Sequence, residues 1–171
     1  MPKPDLTPDC SRCDALCCVL LAFDASAAFA FDKPACVACR HLARDNSCAI
    51  HADLTDRGFS GCVAFTCYGA GQRITQDLFK ARSWRDDPAL MPVIDDAFRH
   101  LRRIHEALWL LQGTERLPLT QALQDQRHVI TADLAKDWTE ATLATSLPAL
   151  RAAQAFLAAL RDLPALSPPR R

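Results

Sequence analysis

All nine cysteines of the chain fall between Cys10 and Cys67, and the residues from Tyr68 to Arg171 contain none. This segregation constrains the fold more than any other feature. Only short elements fit between the thiols, so residues 10–67 need a source of order other than long periodic segments. The thiols stand in recognisable groups. Cys10 and Cys13 form a C-x2-C, Cys17 and Cys18 are adjacent, Cys36 and Cys39 form a second C-x2-C, Cys48 is alone, and Cys62 and Cys67 form a C-x4-C. A C-x2-C turn lets two sulfurs meet one ion, and a cation keeps the thiols deprotonated.

No apolar h-region follows the start "MPKPDLTPDC". The apolar run "CCVLLAF" is far too short to cross a bilayer. The expected compartment is therefore the cytoplasm, where thiols stay reduced and read better as metal ligands than as disulfides. Lys+Arg equals Asp+Glu, giving a formal net charge of +0. Neutrality gives no global attraction to nucleic acid or to an anionic membrane, so the expected partner is another protein. It is also compatible with weak self-association and leaves the oligomeric state open.

The chain divides, on this reading, into a flexible arm (1–9), a cysteine-rich metal-binding module (10–72), a helical body (73–165) and a disordered tail (166–171). Within the module, "CVLLAFD" fits a short strand or a helical turn, "CAIHADLTDRGF" a short helix stopped by Gly58, and "CYGAGQ" a glycine-containing loop. "ITQDLFKA" fits another short helix. In the body, Ile94, Phe98, Leu101, Ile104, Leu108 and Leu111 trace one helix face. Asp87 suits its N-cap, Pro88 its first position and Gly113 its end, with Pro92 delaying the regular helix. A shorter helix is expected over Leu119–His128, and a third carries Leu134 and Trp138. The last begins with Ser146 as N-cap and aligns Leu150, Ala153, Leu157 and Leu160. The expected fold is mainly α: an irregular cysteine-rich metal-binding module packed on a small helical bundle.

Eight thiols make two four-thiolate sites, or one cluster that shares bridging sulfurs. Either arrangement gives the adjacent pair a use, because successive side chains in an extended segment diverge. Cys17 and Cys18 then act as a branch point. Cys36 is the candidate for a thiol that merely packs as a small hydrophobe, with a ligand role as its alternative. His51, three residues after Cys48, is a less favoured candidate ligand; for His51 and His41 alike a surface or outer position is the expected role. His100 and His105 are five apart and do not share a face. "CVAC" lacks the βαβ surroundings of a redox dithiol. No Ser/His/Asp set, phosphate loop or framed carboxylate pair is visible, so no catalytic residue is assigned.

The blocks "CSRCDALCC", "CRHL", "CAIH" and "GFSGC" resemble the YkgJ-type cysteine-cluster family, whose CxxCxxCC domains are described as zinc- or iron-chelating. The chain has three residues between Cys13 and Cys17 where that family usually has two. A bacterial subgroup carrying the name pentapeptide-repeat-containing is more similar still. It shares "FAFDKPA" (29–35), "CAIH" (48–51), "RGFSGC" (57–62), "CYGAGQ" (67–72) and "SWR" (83–85). No repeat array is present here: "ADLTD" (52–56) and "ADLAK" (132–136) lie far apart, and a solenoid needs consecutive units. The resemblance implies metal chelation by Cys10, Cys13, Cys17, Cys18, Cys39, Cys48, Cys62 and Cys67, and leaves Cys36 as the extra thiol.

These readings combine into a metal-binding accessory or interaction protein. Zinc is the favoured ion, and an iron–sulfur cluster serving redox chemistry or sensing is the alternative. Cu(I) buffering is a third reading, less favoured because the thiols form no simple repeated array.

Overall fold

The computed structural model describes residues 4–80 and 82–161. The chain is mainly α. Among the described residues six α-helices follow in order: α1 (Leu16–Leu20), α2 (Ser60–Ala64), α3 (Ala70–Arg73), α4 (Met91–Gly113), α5 (Gln121–Ala135) and α6 (Leu147–Arg161). Among the described residues there is no strand, only isolated antiparallel bridges at Phe23/Lys33, Ser26/Phe29 and Leu42/Cys48. The expected third helix carrying Leu134 and Trp138 does not form. Leu134 belongs to α5, and Trp138 lies beyond it, its indole N–H donating to the Leu134 carbonyl at 2.9 Å.

Contacts divide the chain into two compact units, one of Leu6–Arg102 and one of Met1–Asp5 with Arg103–Arg171. The first therefore extends well beyond the cysteine-rich segment, past the module boundary expected at 72/73. Its loops enclose an aromatic cluster in place of a sheet. Phe23 stacks on Phe29 with centroids 4.3 Å apart, and Phe31, His41 and Phe59 complete the group at 5.1–5.7 Å from one another. Thr7 to Asp9, expected to lie in a loose arm, are tied down. The Gln72 amide donates to the Thr7 carbonyl (2.7 Å) and accepts from the Asp9 N–H (3.1 Å). Residues 1–3 of the arm and the expected tail lie outside the described residues.

Helix α4 forms as its pattern dictates. Asp87 accepts from the Ala89 N–H at 3.0 Å and caps a 3-10 turn, Pro88–Leu90, that leads into the helix. Pro92 falls in the first α-helical turn, where its missing N–H costs no hydrogen bond. Ile94, Phe98, Leu101, Ile104, Leu108 and Leu111 are each at most 2% exposed.

In the second unit, α5 and α6 pack on each other. Thr120 caps α5, and the buried Arg127 donates to the Thr114 carbonyl at 2.9 Å. Helix α6 buries Leu150, Ala153, Phe156 and Leu160; Phe156 replaces the expected Leu157 in the buried face. Ser146 does not cap α6, because its buried hydroxyl has no partner among the described residues and a 3-10 turn precedes the helix. By length and composition alone, Leu143–Arg161 is long and apolar enough to cross a membrane. Its buried residues recur at three- and four-residue spacing, as in a helix that packs one face.

Two glycines give opposite predictions. A Cβ at Gly61 would stand 2.2 Å from the Phe29 ring, which is held in its stack on Phe23. Gly113 has helical φ and ψ and nothing within 4 Å of a Cβ. Urea denaturation is expected to show Gly61→Ala destabilised by about 1–3 kcal/mol and Gly113→Ala stabilised by roughly 0.4–1 kcal/mol.

Candidate metal centre

Helix α1 presents the adjacent cysteines. Leu16, Val19 and Leu20 are buried at i, i+3 and i+4, so Cys17 and Cys18 emerge from the other side of this short helix. The segment is helical rather than extended, so the roughly 100° step between successive residues separates the two side chains. Both thiols are partly buried, and their Sγ atoms lie 3.9 Å apart without a disulfide. All nine cysteines are free.

Cys10 opens a 3-10 turn, Cys10–Arg12, whose cap Asp9 accepts from the Ser11 N–H at 3.0 Å. Helix α3 and the π-helical turn that continues it, Ile74–Leu78, hold this segment in place. The Thr75 hydroxyl accepts from the Asp14 N–H (3.1 Å), and the Gln76 amide donates to the Arg12 carbonyl (2.9 Å). The Trp84 indole donates to the Asp14 carbonyl at 2.9 Å. "CYGAGQ" is thus partly helix: Tyr68 and Gly69 turn through the left-handed region (φ 50 and 77°), and Ala70–Gln72 begin α3. A Cβ at Gly71 would stand 2.7 Å from the Cys13 Sγ and 3.8 Å from the Cys67 Sγ, so the bare backbone leaves room for both sulfurs.

A second set of thiols gathers by backbone pairing. The Cys39 N–H donates to the Cys18 carbonyl at 2.9 Å. The Leu42/Cys48 bridge folds "CRHLARDNSC" into a hairpin-like loop, with the Ala49 N–H on the His41 carbonyl at 2.8 Å. Helix α2 carries Cys62, and the Gly61 N–H anchors it to the Ala28 carbonyl at 3.1 Å.

Electrostatics follow this grouping. Burial pushes the Cys13 thiol up to about 11, with Cys67 and Cys10 adding repulsion. Burial also raises Cys10, and Cys67, Cys18, Asp9 and Cys48 add to it. Cys17 is raised because its proton is shared with Cys18, then by burial and by the charges of Cys18, Cys13 and Cys10. In the other set, burial raises Cys48, with Cys18 and Cys39 adding to it. Cys62 rises to about 11 through burial, then through Cys18, Cys39 and Cys48. Cys18 moves the opposite way, down to about 7, because Cys17 hydrogen-bonds to its thiolate, with Lys33 assisting against burial. Two overlapping groups result: Cys10, Cys13, Cys17 and Cys67, and Cys18, Cys39, Cys48 and Cys62.

Among the described residues, no three His, Cys, Asp or Glu side chains converge as a ready-made ion site. The thiols are neighbours rather than a finished polyhedron. The donor set suits a thiophilic cation in two respects. Its members are soft sulfur donors, the ligand type that such ions favour. The space above Gly71 is the kind of cradle that a Cβ would fill.

A bacterial relative resembles the chain in sequence: uncharacterized protein YybG of Bacillus subtilis (strain 168) is 38% identical over 122 residues. The match covers 71% of this chain and 44% of the relative, so the chain spans less than half the length of the curated relative it matches. No family model matches the chain. No solved structure matches it either.

Cys36 is exposed in a left-handed turn (φ 57°), so it is not the packed small hydrophobe expected from sequence. His51 is exposed at the start of a 3-10 turn, while His41 packs edge-on against Phe59 with ring centroids 5.4 Å apart. His100 takes its own helix, its Nδ1 3.0 Å from the Asp96 carbonyl. Sequence reasoning assigned no role to Gln72, Thr75, Trp84 or Lys33. Their signal was present only as unexplained motif residues in "CYGAGQ", "ITQD", "SWR" and "FDKPA". Lys33 is 4% exposed in a segment of mostly exposed loops.

The thiols are expected to differ sharply in reactivity when reduced and metal-free. Timed alkylation read by mass spectrometry should label Cys18 with a midpoint near pH 7. Cys13 should stay unreactive until about pH 11. Cys17→Ala removes the donor to Cys18 and should move the Cys18 midpoint upward. The raised Cys13 also carries a stability consequence. The fold favours its protonated form, so its contribution is full below the ordinary thiol pKa and is lost as pH rises toward 11.

Proposed function

We propose that the chain is a thiolate metal-binding protein, with zinc as the favoured ion and an accessory or interaction role exercised with a partner protein. The ligands are Cys10, Cys13, Cys17 and Cys67 in one group, and Cys18, Cys39, Cys48 and Cys62 in the other. The observation that carries the reading is the 3.9 Å pair Cys17/Cys18, which joins two groups of free thiols that act on one another electrostatically. Thiolates this close repel one another, and a bound cation removes that repulsion while tying the loops together. Kinship with YkgJ-type chelating domains and a cytoplasmic location belong to the same proposal. The reading assigns no catalytic residue.

On this reading the chain's own residues perform three tasks. Helix α1 fixes the two sulfurs at the junction, Gly71 keeps backbone clear of Cys13, and Gln72, Thr75 and Trp84 hold the Cys10–Asp14 segment in register. An iron–sulfur cluster would use the same all-thiolate set and is the alternative occupant.

Anaerobic purification followed by metal analysis tests the proposal. A colourless protein with about two zinc ions per chain is expected. A brown protein with stoichiometric iron and sulfide would replace zinc by the cluster. A protein that takes up no metal under reducing conditions, with all nine thiols free, would refute the thiolate reading altogether. Cys48→Ser is expected to lower the metal content and expose residues 10–67 to proteolysis, while the far-ultraviolet helix signal of α4 to α6 persists.

A further inference from the structure

Lys33 is only 4% exposed. Its ammonium donates to the carbonyls of Val19 (2.9 Å), Leu21 and Pro34 (3.1 Å), so all three N–H donors are used on neutral backbone groups. No carboxylate of the described residues is among its partners. Burial lowers its pKa, and Cys39, Cys18, Cys36 and Cys17 act against that to the extent that they ionise. A lysine is almost never buried this far unless its charge is paired. Among the described residues, thiols are the groups that act to favour its charge. The backbone brings them there: Val19 follows Cys18 directly, and the Cys39 N–H binds the Cys18 carbonyl at 2.9 Å.

We propose that Lys33 is a positioning residue, the built-in countercharge of a net-anionic metal–thiolate centre formed by Cys18, Cys39, Cys48 and Cys62. The proposal rests on the thiolate reading above. Four thiolates around a divalent cation leave two negative charges, and an ammonium held on the carbonyl of Val19, the residue after Cys18, offsets part of that excess. A histidine-containing or neutral centre would leave the Lys33 charge without a matching excess of negative charge. The chemistry therefore restricts the occupant of this group to a complex that stays negative when loaded.

A purely structural role is also conceivable, because the three hydrogen bonds staple the end of α1 to the "DKPA" loop. The two roles differ in when they act. A staple stabilises metal-free and loaded protein alike, whereas a countercharge stabilises only the loaded form.

The test uses the full chain, stripped of metal, reduced, and titrated anaerobically with Zn(II) or Cd(II) alone under chelator competition. Wild type, Lys33→Arg and Lys33→Gln are compared, with Lys33→Met in place of the Gln variant should that fail to fold. Urea midpoints are recorded with and without the ion. Wild type and Lys33→Arg are expected to bind alike. The uncharged variant should bind one ion roughly tenfold more weakly while its metal-free stability stays equal to or above wild type. Equal ion affinity in the uncharged variant, or an equal loss of stability with and without ion, would overturn the inference and leave a staple. Failure of wild type itself to bind either ion would instead overturn the thiolate reading, and Lys33's role with it.

Discussion

Thiol groups held within electrostatic reach of one another repel as soon as they ionise, and the organisation of residues 6–102 follows from that constraint. No disulfide cross-links them, and no sheet among the described residues supports their loops. Their proximity is imposed by backbone pairing such as Cys39 on Cys18, and by hydrogen bonds from segments that carry no cysteine. Gln72, Thr75, Gln76 and Trp84 each reach back to the stretch between Thr7 and Asp14. Arg85 grips the loop before Cys48 through Asn46 at 2.7 Å, and Arg102 reaches the Thr66 carbonyl at 3.2 Å. This explains why the compact unit extends to Arg102 although the cysteines end at Cys67.

The same constraint accounts for the local irregularity. Ala15, Cys36, Asn46, Tyr68 and Lys80 all adopt left-handed backbone conformations without being glycine. Each such residue costs of order 1–2 kcal/mol unless its surroundings over-determine it. Ala15 and Tyr68 stand at the entries to α1 and α3, two residues before Cys17 and one residue after Cys67. Strain at those corners fits loops shaped to aim side chains rather than to extend a ladder. The aromatic group of Phe23, Phe29, Phe31 and Phe59 supplies part of the apolar burial that a sheet would otherwise give.

What could be read from sequence divides by the range of the interactions. Helix α4 was legible down to its cap at Asp87 because a 3.6-residue period, a proline and a capping carboxylate are local signals. The mainly helical fold followed from composition and apolar periodicity. Cys17 and Cys18 were expected to diverge from an extended segment, whereas α1 is helical. Residues whose roles depend on distant partners were not legible. Gln72 meets Thr7 and Asp9 across more than sixty residues of chain. Lys33 meets the end of α1. The join between Leu134 and the preceding helix was missed because α5 has only a weak apolar face, with Arg127 buried alongside Ile130 and Leu134. Nothing in its periodicity announces that it continues past His128.

The central claim is that sulfur alone surrounds whatever ion this protein holds. X-ray absorption at the metal edge of the loaded, full-length chain tests this most directly. The account predicts a first shell of sulfur only, at about 2.3 Å for zinc. A first shell containing nitrogen or oxygen scatterers in place of sulfur would contradict it.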